Sequence, residues 1–218
     1  MDSGNQYLAM LLDAPLQSWG YMSRFDRRTT YSSPTRSGII GMLCAAMGVD
    51  RKETEELERF KKIMLTIFVL AQGGRLMDYH TVGGGWQKDR DPKMIVPRTN
   101  GSPGDTVQTY REYLEDSKFL VVINSANQFL TEIAEALQHP QWGIWLGRKA
   151  CIPAMPVYQG IFESMEAAIR HLEGLYGWPS KAIFEVKDYE DGSDTLMTEP
   201  IDFLKREFAP NRIKVQPF

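Results

Sequence analysis

The feature that most constrains the fold is a long interruption between two apolar segments. Residues 63–70 and 118–123 are continuous apolar runs with the length and β-branched character of buried strands. Between them, residues 73–116 are rich in glycine and proline, yet they keep a set of aromatic and basic side chains: Tyr79, His80, Trp86, Lys88, Arg90, Lys93, Arg98, Tyr110 and Arg111. A disordered linker seldom keeps so many aromatic residues, and a loop of this length inside a compact domain is commonly functional. We therefore predict a protruding hairpin or arm at about residues 73–116.

The segments on either side of the arm predict an alternation of strands and helices. Strands are expected at residues 7–12, 63–70, 118–123 and 143–146, and helices from residue 34 to residue 47 with an apolar part at 39–47, at 53–62 and from Ser125 to Leu137. Ser33 followed by Pro34 suits the start of the first helix, and Gly48 suits its end. The order strand, helix, strand, insertion, strand, helix, strand predicts an α+β domain of the ferredoxin-like (RRM-like) type.

The last quarter of the chain predicts a smaller unit. A helix is expected near residues 164–175 and a strand at 182–187, followed by an acidic turn and a basic tail. We expect residues 1–155 to form the ferredoxin-like domain with its inserted arm, and residues 156–218 to form a small C-terminal α/β appendage.

Composition excludes several classes of protein. The 218 residues are 43% hydrophobic, which is enough to bury a core. No run of about 18 apolar residues suggests a membrane span, and the polar N-terminal residues do not resemble a signal peptide. Cys44 and Cys151 have no further pair that would complete a zinc site. We expect a cytoplasmic protein with reduced thiols, no metal and no cofactor.

The net charge of −3 argues against nucleic-acid binding, but the distribution of the charges along the chain does not. Four arginines lie within residues 21–36, and residues 205–214 hold four further cations. Residues 185–202, in contrast, hold seven acids and one lysine. Segregated charge suits a protein with one anion-facing surface; scattered, solvated loops are the alternative interpretation.

The turn PLQSWG, residues 15–20, follows the first predicted strand and is fixed by its proline and glycine. Gln17 and Ser18 carry neutral hydrogen-bonding groups that suit base edges, while Trp19 suits either stacking on RNA or the core. Further along, Arg36 and Ser37 open a helix whose N-terminal amides attract anions. The Arg36 guanidinium, the Ser37 hydroxyl and the N-terminus of the helix together predict a phosphate-binding site.

Five segments resemble a known family. They are PLQSWG (15–20), SSPTRSGIIGMLCAAMGVDR (32–51), DYHTVGGG (78–85), TYREYLEDSKFLVVI (109–123) and LGRKACIPA (146–154). In this order they resemble the CasD or Cas-five family of the RAMP superfamily of CRISPR-associated proteins, most closely its type I-E branch. The resemblance extends from about residue 7 to about residue 160.

The resemblance implies an RNA-binding subunit of a type I CRISPR Cascade complex in antiviral defence. Such a subunit holds the 5′ handle of the CRISPR RNA, caps the filament of backbone subunits and contacts the large subunit, so that it meets target DNA only through the complex. Its arm, or thumb, presses between guide nucleotides. Family and residue chemistry together give these candidate RNA-binding residues: Gln17, Ser18, Trp19, Arg24, Arg27, Arg28, Arg36, Ser37, His80, Trp86, Lys88, Arg98, Arg148 and Lys149.

Two alternatives remain open. In the type I-C branch a related subunit cuts precursor CRISPR RNA without metal, using a cluster of histidine, lysine and tyrosine that supplies the acid and base. Here His80 has Tyr79 beside it, but the adjacent Lys-His pair of that branch is missing. We therefore expect no catalytic residue. The second alternative is a structural subunit whose RNA contacts are incidental.

Overall fold

The computed structural model describes residues 6–23, 26–83, 106–190 and 193–218. Its helices are α1 (Arg36–Met47), α2 (Thr54–Phe60), α3 (Asn127–Gln138) and α4 (Met165–Tyr176). Its strands are β1 (Gln6–Asp13), β2 (Leu16–Gln17), β3 (Arg27–Arg28), β4 (Met64–Ala71), β5 (Gly74–Val82), β6 (Val107–Glu115), β7 (Lys118–Ser125), β8 (Tyr158–Phe162), β9 (Lys181–Glu185), β10 (Ser193–Asp202) and β11 (Glu207–Pro217).

The main sheet has the strand order β10-β11-β9-β4-β7-β1-β8. Every neighbouring pair in it is antiparallel. The mixed helix-and-strand class is therefore confirmed. The predicted chain order also holds, because β1, α1, β4, the arm, β7, α3 and β8 follow one another. The central order β4-β7-β1-β8 is compatible with the ferredoxin-like arrangement.

Both faces of this sheet are covered by helices. Along β1, successive side chains point to opposite faces because a strand has a period of two. Leu8, Met10 and Leu12 pack with α1 and α3 on one face. Ala9 and Leu11 pack with α4 on the other. Since both faces are buried, β1 is apolar without interruption, as the sequence suggested.

The C-terminal region continues the main sheet and does not form an appendage. Strand β9 pairs with β4 through Thr66↔Phe184 to Val69↔Lys181, and β11 then pairs with β9. The predicted acidic turn and basic tail contribute to an antiparallel hairpin, β10–β11. Sequence alone did not reveal this, because the two strands are charged and lack a long apolar run.

Two further boundaries correct the prediction. Residues 143–146 lie in a loop, and the strand that follows α3 is β8. Helix α1 begins at Arg36, two residues after the predicted start at Pro34, and its N-cap is Thr35, whose side chain accepts a hydrogen bond from the Gly38 amide. The cap is therefore not Ser33, because Thr35 is still extended after Pro34. Gly48 ends α1 in the left-handed conformation, as predicted.

The described part of the arm is a hairpin, which confirms its predicted form. Strands β5 and β6 pair continuously from Gly74↔Glu115 to Val82↔Val107. Strand β6 also pairs with β2 and, in parallel, with β3. The base of the arm therefore belongs to a second small sheet, which brings residues 16–17 and 27–28 beside it.

Candidate nucleic-acid interface

The turn at residues 15–20 is buried and joins three parts of the chain. Gln17 has no exposed surface, and its amide nitrogen donates to Leu12 O at 3.0 Å and to Ser117 O at 2.6 Å. Its amide oxygen accepts from Trp19 Nε1 at 3.0 Å. All these groups bind protein, so the prediction that Gln17 reads a base edge is wrong for this structure.

Ser18 and Trp19 are also structural. The Ser18 amide donates to Leu146 O at 3.0 Å, and its hydroxyl donates to Glu112 O at 3.3 Å. The Trp19 ring is 1% exposed and packs on the glycine of α1 at position 38, where a Cβ would lie 2.8 Å from the ring. Neither side chain offers a free face or edge to RNA, which corrects the prediction of stacking at Trp19.

Arg36 faces inward. Its guanidinium forms ion pairs with Glu185 at 2.7 Å and with Glu199, and it donates to Phe60 O at 2.7 Å and Ile63 O at 3.3 Å. Its side chain is 4% exposed. Burial raises the pKa of Glu185, and the arginine opposes that rise. The predicted phosphate site at Arg36 is wrong, because this arginine ties α1 to β9 and β10.

Ser37 and Lys149 line a separate groove along α1. Its volume is about 840 Å³, and its walls include Trp142 and Trp145. The Lys149 ammonium lies 5.6 Å from the Trp145 ring centroid. The rim carries charges of both signs, from Asp50, Arg51, Glu53 and Lys149. Mixed charge favours a polyanion less than a uniformly basic surface does.

The exposed candidates meet at the base of the arm. We call the hairpin-base surface the set formed by Arg27, Arg28, Tyr79, His80, Tyr110 and Arg111. Register places Arg27 beside Tyr110, Arg28 beside Arg111, and Tyr79 opposite Tyr110. Both β3 arginines are exposed, and among the described residues neither forms an ion pair. Cations and aromatic rings are the groups that hold single-stranded RNA.

Alternation along the strands divides this surface into two faces. Arg27, Tyr110 and Tyr79 form a row on one face, whereas Arg28 and Arg111 lie one residue further and point to the other. Arg111 is half-buried, and its Nε donates to Thr109 Oγ1 at 3.1 Å. One face therefore presents flat rings with a cation, and the opposite face carries Arg28 and Arg111, with Asp78 opposite Arg111.

Arg148 holds this surface in place. Its two terminal nitrogens donate to Glu112 O at 3.0 Å and to Arg28 O at 2.9 Å, and its guanidinium lies 4.6 Å from the Tyr113 ring centroid. It therefore joins the backbones of β3 and β6. These contacts support a positioning role for Arg148, and the phosphate contact expected from sequence stays a prediction.

Two of the four cations in the second basic segment form ion pairs. In the β10–β11 hairpin Lys205 pairs with Asp202, and Lys214 pairs with Glu190 at 3.1 Å. Arg212 donates to the carbonyl of Lys187 at 3.1 Å. Acidic and basic side chains therefore alternate on this hairpin, and it is not a uniformly basic surface.

Comparison with known proteins shows which family the chain matches. Residues 7–215 match the family described as CRISPR-associated protein (Cas_Cas5). The chain belongs to the Cas5 family. It is 31% identical to the CRISPR system Cascade subunit CasD of Escherichia coli (strain K12) over 221 residues, which cover 93% of this chain and 94% of the relative.

Two solved structures resemble this Cas5-family chain closely. A chain of a CRISPR RNA-guided surveillance complex has a TM-score of 0.77 and 30% identity, over 97% of this chain and 89% of its own length. A solved Cas protein has a TM-score of 0.69 and 27% identity, over 97% and 94% respectively. The C-terminal strands are thus part of the shared fold, because the similarity covers nearly the whole chain.

Four predicted RNA-binding residues of the Cas5-family chain, Arg24, Trp86, Lys88 and Arg98, lie outside the described residues. Sequence reasoning noted Tyr110 and Arg111 in the arm but did not select them as a site. The signal that marks them is the alternation along β6, which becomes informative only once the register with β3 and β5 is known.

Within the described ranges, no three His, Cys, Asp or Glu side chains are grouped closely enough to hold a metal ion. In the same part of the chain, no helix has both the length and the apolar character needed to cross a membrane.

Proposed function

We propose that this Cas5-family chain is the subunit of a type I Cascade complex that holds the 5′ handle of the CRISPR RNA. The observation that carries the proposal is the hairpin-base surface, where the exposed Arg27 lies beside Tyr110 and Tyr79 on one face and the exposed Arg28 lies on the opposite face of the same strands. Arginine suits phosphate because its planar guanidinium binds two oxygens at once.

The similarity to CasD and to a chain of an RNA-guided surveillance complex supports the same role. Capping of the backbone filament, contact with the large subunit and a cytoplasmic location belong to this proposal, as does indirect contact with target DNA. The exposure of the arm supports an RNA-facing role, because β5 is exposed along nearly its whole length and pairs with β6 over nine positions.

The proposal is tested with the full chain and RNA from the repeat of its own CRISPR locus. Affinity is measured for the handle RNA and for a scrambled RNA at two salt concentrations. We expect tighter binding of the handle RNA and a steep fall in affinity with salt, because phosphate contacts release counterions. Equal affinity for both RNAs would contradict handle recognition.

A matched pair of variants locates the contact. Arg28→Gln removes a cation from the hairpin-base surface, and Arg170→Gln removes an exposed cation from α4 that pairs with its helix neighbour Glu166. Loss of one phosphate contact should lower the slope of log affinity against log salt by about 1. We expect that change for Arg28→Gln and none for Arg170→Gln; the reverse would place the RNA elsewhere.

We further propose that the chain binds RNA without cutting it. His80 lies on the exposed strand β5, and its register partner is Thr109. General acid–base cleavage needs a second titratable group held near the scissile bond, and an exposed strand does not preorganise one. Incubation with repeat RNA and no metal tests the alternative. Cleavage that disappears in His80→Ala would replace binding with processing as the function.

A further inference from the structure

Three flat side chains form a row across three strands at the base of the arm. The rings of Tyr79 and Tyr110 have centroids 5.3 Å apart and are tilted by 49°. The Arg27 guanidinium carbon lies 5.7 Å from the Tyr110 centroid. Each group comes from a different strand, so the row exists only because β5, β6 and β3 pair in this register.

The row is open to solvent. Tyr79 is 51% exposed and Tyr110 is 39% exposed, and Met77, which lies on the same face of β5, is 50% exposed. Large apolar side chains that are grouped on a surface commonly mark a binding site. A cross-strand aromatic pair also stabilises a hairpin, so exposure alone does not identify a ligand.

The surrounding charge favours a nucleobase. On one side the row is followed by the neutral residues Thr81 and Gln108. On the other side lies Glu112, whose carboxylate is 3.3 Å from the Arg75 guanidinium and also accepts from the Thr30 amide. The acid is thus neutralised locally, which leaves Arg27 as the charge at the row. Exposed rings beside a cation suit a base and the phosphate attached to it.

We propose that Tyr110 and Tyr79 form a platform on which an unpaired base of the RNA stacks, with Arg27 extending the platform. This inference rests on the proposed function and adds to it a specific subsite for a base. Because stacking uses the π-face that every base has, the platform is expected to fix the path of the RNA and not its sequence.

The test uses the full chain and handle RNAs that carry 2-aminopurine at one position in turn, since stacking on an aromatic ring quenches this fluorophore. One position should be quenched by the wild-type chain and recover in Tyr110→Leu and in Tyr79→Leu. Affinity should fall roughly 5- to 150-fold in Tyr110→Leu, the range for loss of one stacked base. Tyr110→Phe keeps the ring and should behave as wild type.

Control variants show whether the effect belongs to these two rings. Tyr189 is 72% exposed in another part of the surface, so Tyr189→Leu should change neither quenching nor affinity. The salt slope of Tyr110→Leu should equal that of wild type, because no phosphate contact is lost. Thermal unfolding is also measured for each variant, so that a loss of affinity caused by unfolding is recognised.

The outcomes distinguish the two proposals. If wild type binds handle RNA specifically but quenching and affinity are unchanged in both leucine variants, the platform is wrong and the proposed function stands. If those variants bind RNA normally but fail to join the other subunits, the rings contact protein and the platform is again wrong. If wild type has no preference for handle RNA, the proposed function itself fails.

Discussion

Two regions of the molecule carry most of the described residues that the sequence marks as RNA contacts, and they use their polar groups differently. In the turn at residues 15–20 and at Arg36, the hydrogen-bonding groups are directed to carbonyls and carboxylates of the protein. In the hairpin-base surface the arginines of β3 and the two tyrosines are exposed. Arginines and aromatic side chains occur in both regions, so residue type alone does not separate a structural residue from a binding residue.

The difference arises from what surrounds each region. The turn lies between β6, the loop after Leu146 and helix α1, and each of these supplies partners for its polar atoms or its ring. Strand β5 of the hairpin is exposed along nearly its whole length, so its side chains have few such partners. Substitutions in the first region should therefore change stability, and substitutions in the second should change RNA binding.

The largest effect is expected for Arg36→Met. It leaves Glu185 and Glu199 without their cation, and removing one partner of a buried ion pair costs about 3–5 kcal/mol. The free energy of unfolding is measured with urea, beside Arg27→Met as the exposed control, which should change it by less than about 0.5 kcal/mol. Full stability of Arg36→Met with lost RNA binding would overturn the comparison.

The stability of the same variant should depend on pH more strongly than that of the wild type. Burial raises the pKa of Glu185 above its ordinary 4.5, and Arg36 opposes that rise. Without the arginine, the folded state binds a proton more readily than the unfolded chain, so stability increases as pH falls through the raised pKa. The loss caused by Arg36→Met should thus be smaller near about pH 5 than near about pH 8.

A somewhat smaller effect is expected for Gln17→Leu. The substitution leaves Leu12 O, Ser117 O and Trp19 Nε1 without their partner in a fully buried place. Such a loss should cost about 3 kcal/mol. Gln108→Leu on the exposed part of β6 is the matched control and should change unfolding little. If both variants unfold alike, the buried hydrogen bonds of Gln17 do not stabilise the turn as described above.

Much of the fold was predictable from sequence, because it depends on local periodicity. The apolar runs of β4 and β7 and the helical spacing of α3 are visible in short windows, and the structure confirms each of them. The role of Arg36 was not predictable in this way. Its carboxylate partners lie 149 and 163 residues away, and no local pattern announces a contact of that range.

The candidate site shows the same limit. Sequence marked the arm, and within it the aromatic and basic residues, because glycine, proline and ring content are properties of composition. It did not select Tyr110 beside Arg27, since that pairing depends on the parallel register of β3 with β6. Accessibility, which separates Arg28 from Arg36, is likewise a property of the whole fold.

An effect of about 2 kcal/mol is expected for Gly147→Ala, which tests the link between the two regions. Gly147 has φ +98°, and a Cβ there would lie 1.8 Å from Ser18 O, so the backbone must move. Because Arg148 follows directly, RNA affinity should fall as well. Gly174→Ala on α4 meets nothing within 4 Å and should be neutral or stabilising, since alanine favours a helix. Equal unfolding curves for the two variants would contradict the close approach.

The smallest effect is expected for Arg148→Lys, and it decides whether this residue positions the surface or contacts RNA. Lysine keeps the charge but not the planar fork that reaches both Glu112 O and Arg28 O. A positioning residue should lose about 1 kcal/mol of stability, with a modest loss of RNA affinity at an unchanged salt slope. Arg148→Gln is the companion variant. If Arg148 contacts a phosphate directly, this variant should lower the salt slope by about 1, as expected for Arg28→Gln. A lowered salt slope in Arg148→Gln, together with unchanged stability in Arg148→Lys, would show that Arg148 contacts RNA. Arg148 would then belong to the binding region and not to the structural region.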